Sequence, residues 1–367
     1  MIGFMIMPIV VYIPAGIYLY HFFKRFLSLF PLREKKKLVS VFSVLFAVFC
    51  AVAGWRVYGF GAVIVLHFLL GSILMEGINF VVCRVVRERR GRNVWDIIFK
   101  SGIVSVLLTA VLMGYGYINM HQVRETTYTL HTSKTLTEDL RIAQISDLHM
   151  GTTMDVEKLA EYAAKIQEEK LDMLVLTGDI FDERTEKAQM EESVRVLAGI
   201  TTRYGTYYVW GNHDPNQYVS TQKYSMDTLR STLTASGIRV LEDEALQITP
   251  ELAVVGRVDS SIDRDRESIG GLLSGIDRNS YIVLLDHRPV GLEENAAAGI
   301  DLQLSGHTHA GQIWPTGQLG ELVGITEKNY GLETIDDFHA IVNSGIAGWG
   351  YAIRTGGHSE YVIVDVR

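Results

Sequence analysis

The chain has 367 residues, a formal charge of −8 and two cysteines, Cys50 and Cys83. Both cysteines lie in an apolar N-terminal part, so the remainder has neither a disulfide framework nor a thiolate metal site. Residues 1–118 carry 13 Lys and Arg against 4 Asp and Glu, a charge of +9, whereas the rest carries 21 against 38, a charge of −17. Nucleic acid is therefore not an expected partner, because its phosphates call for a basic surface.

In chain order, four apolar stretches, 4–23, 38–55, 61–83 and 97–119, reach the roughly 20 residues that span a bilayer as helix. The earliest basic residue is Lys24, after the first stretch, which is the reverse of a cleavable signal peptide. Lys24, Arg25, Arg33, Lys35, Lys36 and Lys37 separate the first two stretches, and Arg84, Arg87, Arg89, Arg90 and Arg92 the last two; only Arg56 lies between the middle pair. Lys and Arg collect on the cytoplasmic side. The reading is a multi-pass cell-membrane protein whose N-terminus and everything after residue 120 are extracytoplasmic. His67 and Glu76 fall inside the third stretch, about half a turn apart around a helix, and so do not face each other. An intramembrane site, interhelical hydrogen bonding and a boundary position are the alternatives for them. Lys100 is expected to snorkel to the interface.

Three regions follow: a four-span transmembrane domain over 1–120, a linker and first strand over 121–139, and a globular domain over 140–367. In the globular part, 140–146, 171–177, 206–210, 281–285 and 300–304 read as strands. Val156, Leu159, Ala163 and Ile166 recur at helical spacing, and a second helix is expected around 186–202 with Met190, Val194 and Leu197 on one face. Strand and helix in alternation predict an α/β domain with a largely parallel core sheet. Short strands near 253–258, 339–342 and 361–366 suggest a second sheet with antiparallel pairing.

Five polar blocks each follow one of the first strands: Asp147-Leu148-His149, Gly178-Asp179-Ile180-Phe181-Asp182, Gly211-Asn212-His213-Asp214, Asp286-His287 and Gly306-His307-Thr308-His309. Ligands of open α/β sheets gather at the carboxyl ends of the strands, so the blocks are expected along one edge. Imidazole, carboxylate and amide oxygen without sulfur suit divalent Mn, Fe, Zn or Co.

In this order the blocks resemble the calcineurin-like metallophosphoesterases. The resemblance covers about 140–367 and leaves the N-terminal part unexplained. It implies an αββα sandwich of two packed β-sheets flanked by helices, two divalent metal ions and hydrolysis of a phosphoric ester. It implies Asp147, His149 and His309 on one metal, Asn212, His287 and His307 on the other, and Asp179 bridging them. Two such ions polarise a phosphoryl oxygen and lower the pKa of a shared water, whose hydroxide attacks phosphorus in line. His213 is implied to face substrate and to stabilise the phosphoryl charge or protonate the leaving oxygen. Asp182 is its expected orienting partner, with a turn residue as the alternative. Asp214 is expected to cap the following turn rather than touch metal.

Gly306-His307-Thr308-His309-Ala310-Gly311-Gln312 is similar to the bacterial membrane-associated branch of that family, in which Gly-Gly-Gln follows Gly-His-Thr-His; Ala310 departs from it. Asn343-Ser344-Gly345-Ile346-Ala347-Gly348 and Arg354 resemble the same branch. Arg354 is expected either to bind a substrate phosphate or to face solvent. The functional expectation is a membrane-anchored hydrolase of a phosphomonoester or phosphodiester, its substrate lipid-linked or part of the envelope. The alternatives are a nuclease or nucleotide phosphodiesterase, and a membrane sensor on a degenerate metal fold; none of the seven ligands is missing. Loops 215–224 and 259–268 are where specificity is expected.

Overall fold

The computed structural model describes residues 2–55, 59–86 and 89–367; Arg56 and Arg87, two of the basic residues that orient the spans, lie outside the described residues. The chain divides into two units, Met1–Gly116 and Tyr117–Arg367. The first holds α1 (Ile2–Leu27), α2 (Lys36–Ala53), α3 (Phe60–Val85), α4 (Arg89–Ser101) and most of α5 (Ile103–His121), whose last turn belongs to the second. Among the described residues, three helices, α2, α3 and α5, are long and apolar enough to cross a membrane.

The expected span 97–119 is not one helix. It breaks at Gly102, which has a left-handed φ of +67°, and any side chain there would collide with the Phe22 ring. Upstream of the break, Arg92, Asp96 and Lys100 recur at four-residue spacing on α4 and so share one face. Lys100 Nζ pairs with Asp96 Oδ2 at 2.6 Å. His67 and Glu76 do not pair: His67 Nδ1 bonds Val63 O at 2.8 Å, and Glu76 meets Arg25 at 2.6 Å and the Tyr18 hydroxyl at 3.2 Å.

The second unit is built from β1 (Val123–Leu130), β2 (Leu140–Ile145), α6 (Val156–Glu168), β3 (Met173–Thr177), α7 (Lys187–Ala198), β4 (Thr206–Val209), α8 (Met226–Ala235), β5 (Ile238–Val240), β6 (Glu244–Thr249), β7 (Leu252–Gly256), α9 (Ile269–Leu272), β8 (Tyr281–Leu285), α10 (Leu292–Ala297), β9 (Leu302–Ser305), α11 (Thr316–Leu322), β10 (Gly331–Ile335), β11 (Phe338–Val342) and β12 (Ser359–Val366). They form two six-stranded mixed sheets, β1-β12-β2-β3-β4-β5 and β10-β11-β9-β8-β7-β6.

Alternation along the strands creates the layers. Ile142, Met173 and Val175 point between the sheets, where they meet Val254, Val283, Leu285, Leu302 and Leu304 of the second sheet. The intervening Ala143, Ile145, Leu174 and Leu176 pack instead on Leu159, Ile166, Met190, Val194 and Leu197 of α6 and α7. Ile282 and Leu284 face Ile269 and Leu292 on the far side of the second sheet. Asp155 caps α6 by accepting from Lys158 N at 2.9 Å, which fixes where the helix starts after the first polar block.

Strand assignment differs from the sequence expectation in three places. β12 joins the first sheet, antiparallel to β2 and parallel to β1. β7 and β11 pair parallel with β8 and β9, and antiparallel pairing in the second sheet is confined to its edge strands β6 and β10. Strands buried on both faces have no polar face to betray their partner, so pairing is set by crossover packing.

Arg354 does not face solvent, and its guanidinium is taken up by backbone carbonyls. It is fully buried, and its guanidinium donates to the carbonyls of His309 (3.1 Å), Ser344 (2.7 Å), His358 (3.2 Å) and Ala347 (2.6 Å). Burial pushes its pKa down to about 10, against the opposing charges of Asp147 and Glu360. Arg354→Met strands these carbonyls. Each buried unpaired group costs about 1–3 kcal/mol, so a loss of at least about 3 kcal/mol is expected in chemical denaturation of the full chain.

Candidate metal centre

Each polar block sits just past a strand end: 147–149 after β2, 178–182 after β3, 211–214 after β4, 286–287 after β8 and 306–309 after β9. The blocks thus converge from two sheets rather than one. Asp147, His149, Asp179, His307 and His309 all have left-handed φ, between +40° and +70°. A non-glycine residue held there costs about 1–3 kcal/mol and persists only where its surroundings determine it. Close approach is bought by glycine at two points: a Cβ at Gly211 would collide with the Asp179 carboxylate, and one at Gly306 with Asp147 and Ser146.

Asp147, His149 and His309 form one group of donors, and Asp179, His287 and His307 a second. In the first, His149 Nε2 and His309 Nε2 are 3.2 Å apart and His309 Nε2 lies 3.4 Å from Asp147 Oδ1. In the second, His307 Nδ1 is 3.2 Å from His287 Nε2, which lies 3.3 Å from Asp179 Oδ2. The same Asp179 oxygen is 3.8 Å from His149 Nε2, so this carboxylate stands between the groups. Imidazole nitrogens face each other with converging lone pairs, and Asn212 Oδ1 is buried without a hydrogen-bond partner. Both observations fit divalent cations. His287 Nδ1 donates to Thr177 O at 2.9 Å, which fixes the tautomer and leaves Nε2 free as a ligand.

The residues around these donors lock them. Asp214 does not cap the following turn; it reaches back to accept from Gly211 N (2.7 Å), Asp179 N (2.9 Å) and Phe181 N (3.0 Å), tying the second block to the third. Burial, then the charge of Asp179, pushes Asp214 up to about 7. Ser146 bonds both Asp147 and Asn343, and His307 N donates to Asp147 Oδ1 at 3.1 Å. Ala310 is buried with φ +50°, a conformation that favours the glycine it replaces in the related motif.

His213 and Asp182 are not brought together as orienter and acid. Asp182 Oδ2 lies 3.5 Å from His149 Nδ1, and its Oδ1 accepts from Arg184 N at 2.8 Å, a turn contact. The carboxylate against His213 is Glu183, with both oxygens 3.1 Å from Nδ1. Asp182 and Glu183 are adjacent and chemically alike, and only the turn's geometry decides which faces which histidine. His213 N also donates to Asp179 Oδ1 at 2.8 Å. The Tyr218 and Trp349 rings lie 5.0 and 5.3 Å from its imidazole. Burial alone would lower the His213 pKa, but Glu183 and Asp179 raise it above the ordinary imidazole value.

Electrostatics favour a proton on His287. Burial opposes charge on His287, yet the carboxylates of Asp179, Asp147 and Asp259 carry it up to about 10. Asp179 is held well below the carboxylate range, its burial outweighed by His287 and His149. Burial, then the charge of His287, pushes His307 down to about 3, and burial holds His309 well below its ordinary value. Metal and this proton therefore compete for His287. A raised pKa means the proton is present below about 10, so apparent metal affinity rises with pH. Chelator competition between roughly pH 6.5 and 9.5 should show about a tenfold gain per pH unit, with proton release on loading.

A family model described as calcineurin-like phosphoesterase matches residues 140–311. The chain is 30% identical over 272 residues to an uncharacterized metallophosphoesterase of Aquifex aeolicus (strain VF5), covering 71% of this chain and 98% of that one. It is 26% identical over 275 residues to a transmembrane protein with metallophosphoesterase domain of Danio rerio, covering 71% of this chain and 62% of that one. Among solved structures it is similar to a dimetal phosphatase from Danio rerio, with 14% identity and a TM-score of 0.40 over 56% of this chain and 87% of the other. The likeness to nearly the whole Aquifex protein, joined to the ordered motif blocks, makes this chain a member of the calcineurin-like metallophosphoesterase family and a metal-dependent phosphoric ester hydrolase.

Proposed function

We propose that the protein is a membrane-anchored hydrolase that holds two divalent ions and cleaves a phosphomonoester or phosphodiester outside the cytoplasm, on a lipid-linked or envelope substrate. The observation that carries this reading is the meeting of the two donor groups at Asp179. In it, Asp147, His149 and His309 would hold one ion, Asn212, His287 and His307 would hold the other, and Asp179 would serve both. When bound, such ions polarise the phosphoryl oxygen and lower the pKa of water.

His213 supplies the proton. Its Nδ1–H is held by Glu183, which keeps the ring oriented and favours the imidazolium, so that Nε2–H is the group offered to the leaving oxygen. Tyr218 and Trp349 flank the ring and limit its access to water. Beside it, loops 215–224 and 259–268 meet around a cavity of about 350 Å³ lined by Gln217, Tyr218, Ser260, Ser261, Arg264 and Arg288. Arg288 is neutralised by Asp259 at 2.7 Å, whereas Arg264 has no ion pair among the described residues. A free guanidinium there supports an acidic group on the part of the substrate that extends past the reacting phosphorus.

Loop charge supports the outside placement, and it does so for either count of spans. With the basic residues before α2 and between α3 and α5 in the cytoplasm, α2 runs outward, α3 inward and α5 outward, whether or not α1 also crosses. An accessibility tag at the C-terminus should label in intact cells; labelling only after permeabilisation would refute this orientation.

Asp179→Asn is expected to abolish turnover and lower metal content, because the carboxylate common to both groups is lost. His213→Gln should keep its metal yet lose about 10²–10⁴ in kcat, the usual contribution of a general acid. Glu183→Gln removes the charge that raises His213, so the basic limb of the pH–rate profile should move to lower pH. An unshifted limb would assign the proton to another group.

A further inference from the structure

Residues 314–325 leave a run of large apolar side chains in solvent: Trp314 is 54% exposed, Leu319 51%, Leu322 81%, Val323 66% and Ile325 81%. Scattered exposed apolar residues are ordinary, but here five fall within twelve residues, and Leu319, Leu322 and Val323 follow the i, i+3, i+4 spacing of one face at α11, the pattern of an interaction surface. The backbone beneath it is well tied. Thr316 Oγ1 donates to Gly311 O and Thr308 Oγ1 to Asn329 O, both at 2.6 Å, and a Cβ on Gly317 would press into the Asn329 amide at 2.5 Å. Glu321 is the single charged residue within 314–325, and its carboxylate turns to Asn329 N at 2.9 Å. Glu327, just beyond, is likewise engaged by Gly291 N and Leu292 N, at 2.9 and 3.0 Å.

The position of this segment says what covers it. The last turn of α5, a helix long and apolar enough to cross a membrane, is built into the same unit. Asn119 Nδ2 donates to Arg354 O (3.1 Å) and Gly357 O (2.8 Å), and Ser359 Oγ donates to Met120 O (2.8 Å). The strip that receives these bonds also receives Trp314: its N donates to Thr355 Oγ1 at 3.1 Å, and a Cβ on Gly356 would lie 3.2 Å from that nitrogen. The exposed run therefore begins beside the end of a candidate span, where Tyr117 and Ile118 are 55% and 60% exposed. Trp and Tyr at the end of a span mark the level of the lipid head groups.

We propose that residues 314–325 lie in the bilayer interface as a second lipid contact of the catalytic unit, with Trp314 among the head groups and Leu322, Val323 and Ile325 among the upper acyl chains. The proposal rests on the membrane reading above and deepens it. Gly311, two residues after His309, is bonded to this segment, so the metal centre is held against the lipid surface and a lipid-borne phosphoester reaches it without leaving the bilayer plane. An apolar face that lies in the interface plane is buried about 5–10 Å into the head-group and acyl boundary.

The test uses the full chain, with Cys50→Ala and Cys83→Ala, reconstituted in phosphatidylglycerol–phosphatidylcholine vesicles. Single cysteines from Leu322→Cys, Ile325→Cys, Lys187→Cys at the exposed start of α7 and Val48→Cys in α2 each carry an environment-sensitive fluorophore. Spin-labelled lipid should quench positions 322 and 325 severalfold more strongly than 187. Quenching at 48 with none at 322 and 325 overturns the docking while leaving the membrane reading intact. No quenching at 48 removes the membrane reading and the docking with it. Shielding of 322 and 325 from an aqueous quencher without lipid quenching assigns the face to a protein partner or second copy, and also overturns the proposal.

Discussion

A buried carboxylate facing imidazoles from two different sheets is the constraint on which the rest of the catalytic unit depends. Asp179 stands at the end of β3, with His149 from the end of β2 on one side and His287 from the end of β8 on the other. Burying a charge is costly unless cationic or hydrogen-bonded partners meet it. Here the partners come from both sheets, so the sheets must stack with their carboxyl edges in register for the charge to be accommodated at all. The apolar layer of Ile142, Val175, Val283 and Leu304 between them supplies the driving force for that stacking.

Holding the two donor groups in place requires strain, and the strain is distributed. Left-handed backbone at Asp147, His149, Asp179, His307 and His309 aims side chains inward where an extended strand would alternate them outward. Asp214 clamps three backbone nitrogens, Ser146 links Asp147 to Asn343, and Arg354 gathers four carbonyls from His309 and the 344–358 loop. None of these three touches the donor nitrogens. Their effect is to remove alternative conformations, so that binding an ion costs little reorganisation.

Much of this was legible in the sequence because local chemistry dictated it. Apolar runs of strand length ended in Asp, His or Asn, and a donor set without sulfur suited only a few metals. The residues that misled did so for identifiable reasons. Asp182 and Glu183 are neighbours of the same charge, and a turn decides that Glu183 meets His213 while Asp182 meets His149. Arg354 looked like a phosphate ligand because a guanidinium suits phosphate, but it suits a cluster of carbonyls equally well. The stretch 97–119 is apolar enough for one span, yet a single glycine at 102 divides it.

By itself the sequence determined which atoms are available: the donors and their order along the chain, the absence of thiolate, the apolar stretches and the sign of the loops between them. These follow from composition and short-range periodicity. Only the tertiary structure decided which atoms meet. The placing of β12 in the first sheet, the choice of Glu183 over Asp182, the burial of Arg354 and the setting of an exposed apolar run beside the end of α5 all depend on contacts between residues far apart in the chain. Such contacts depend on how layers pack, which no local pattern encodes.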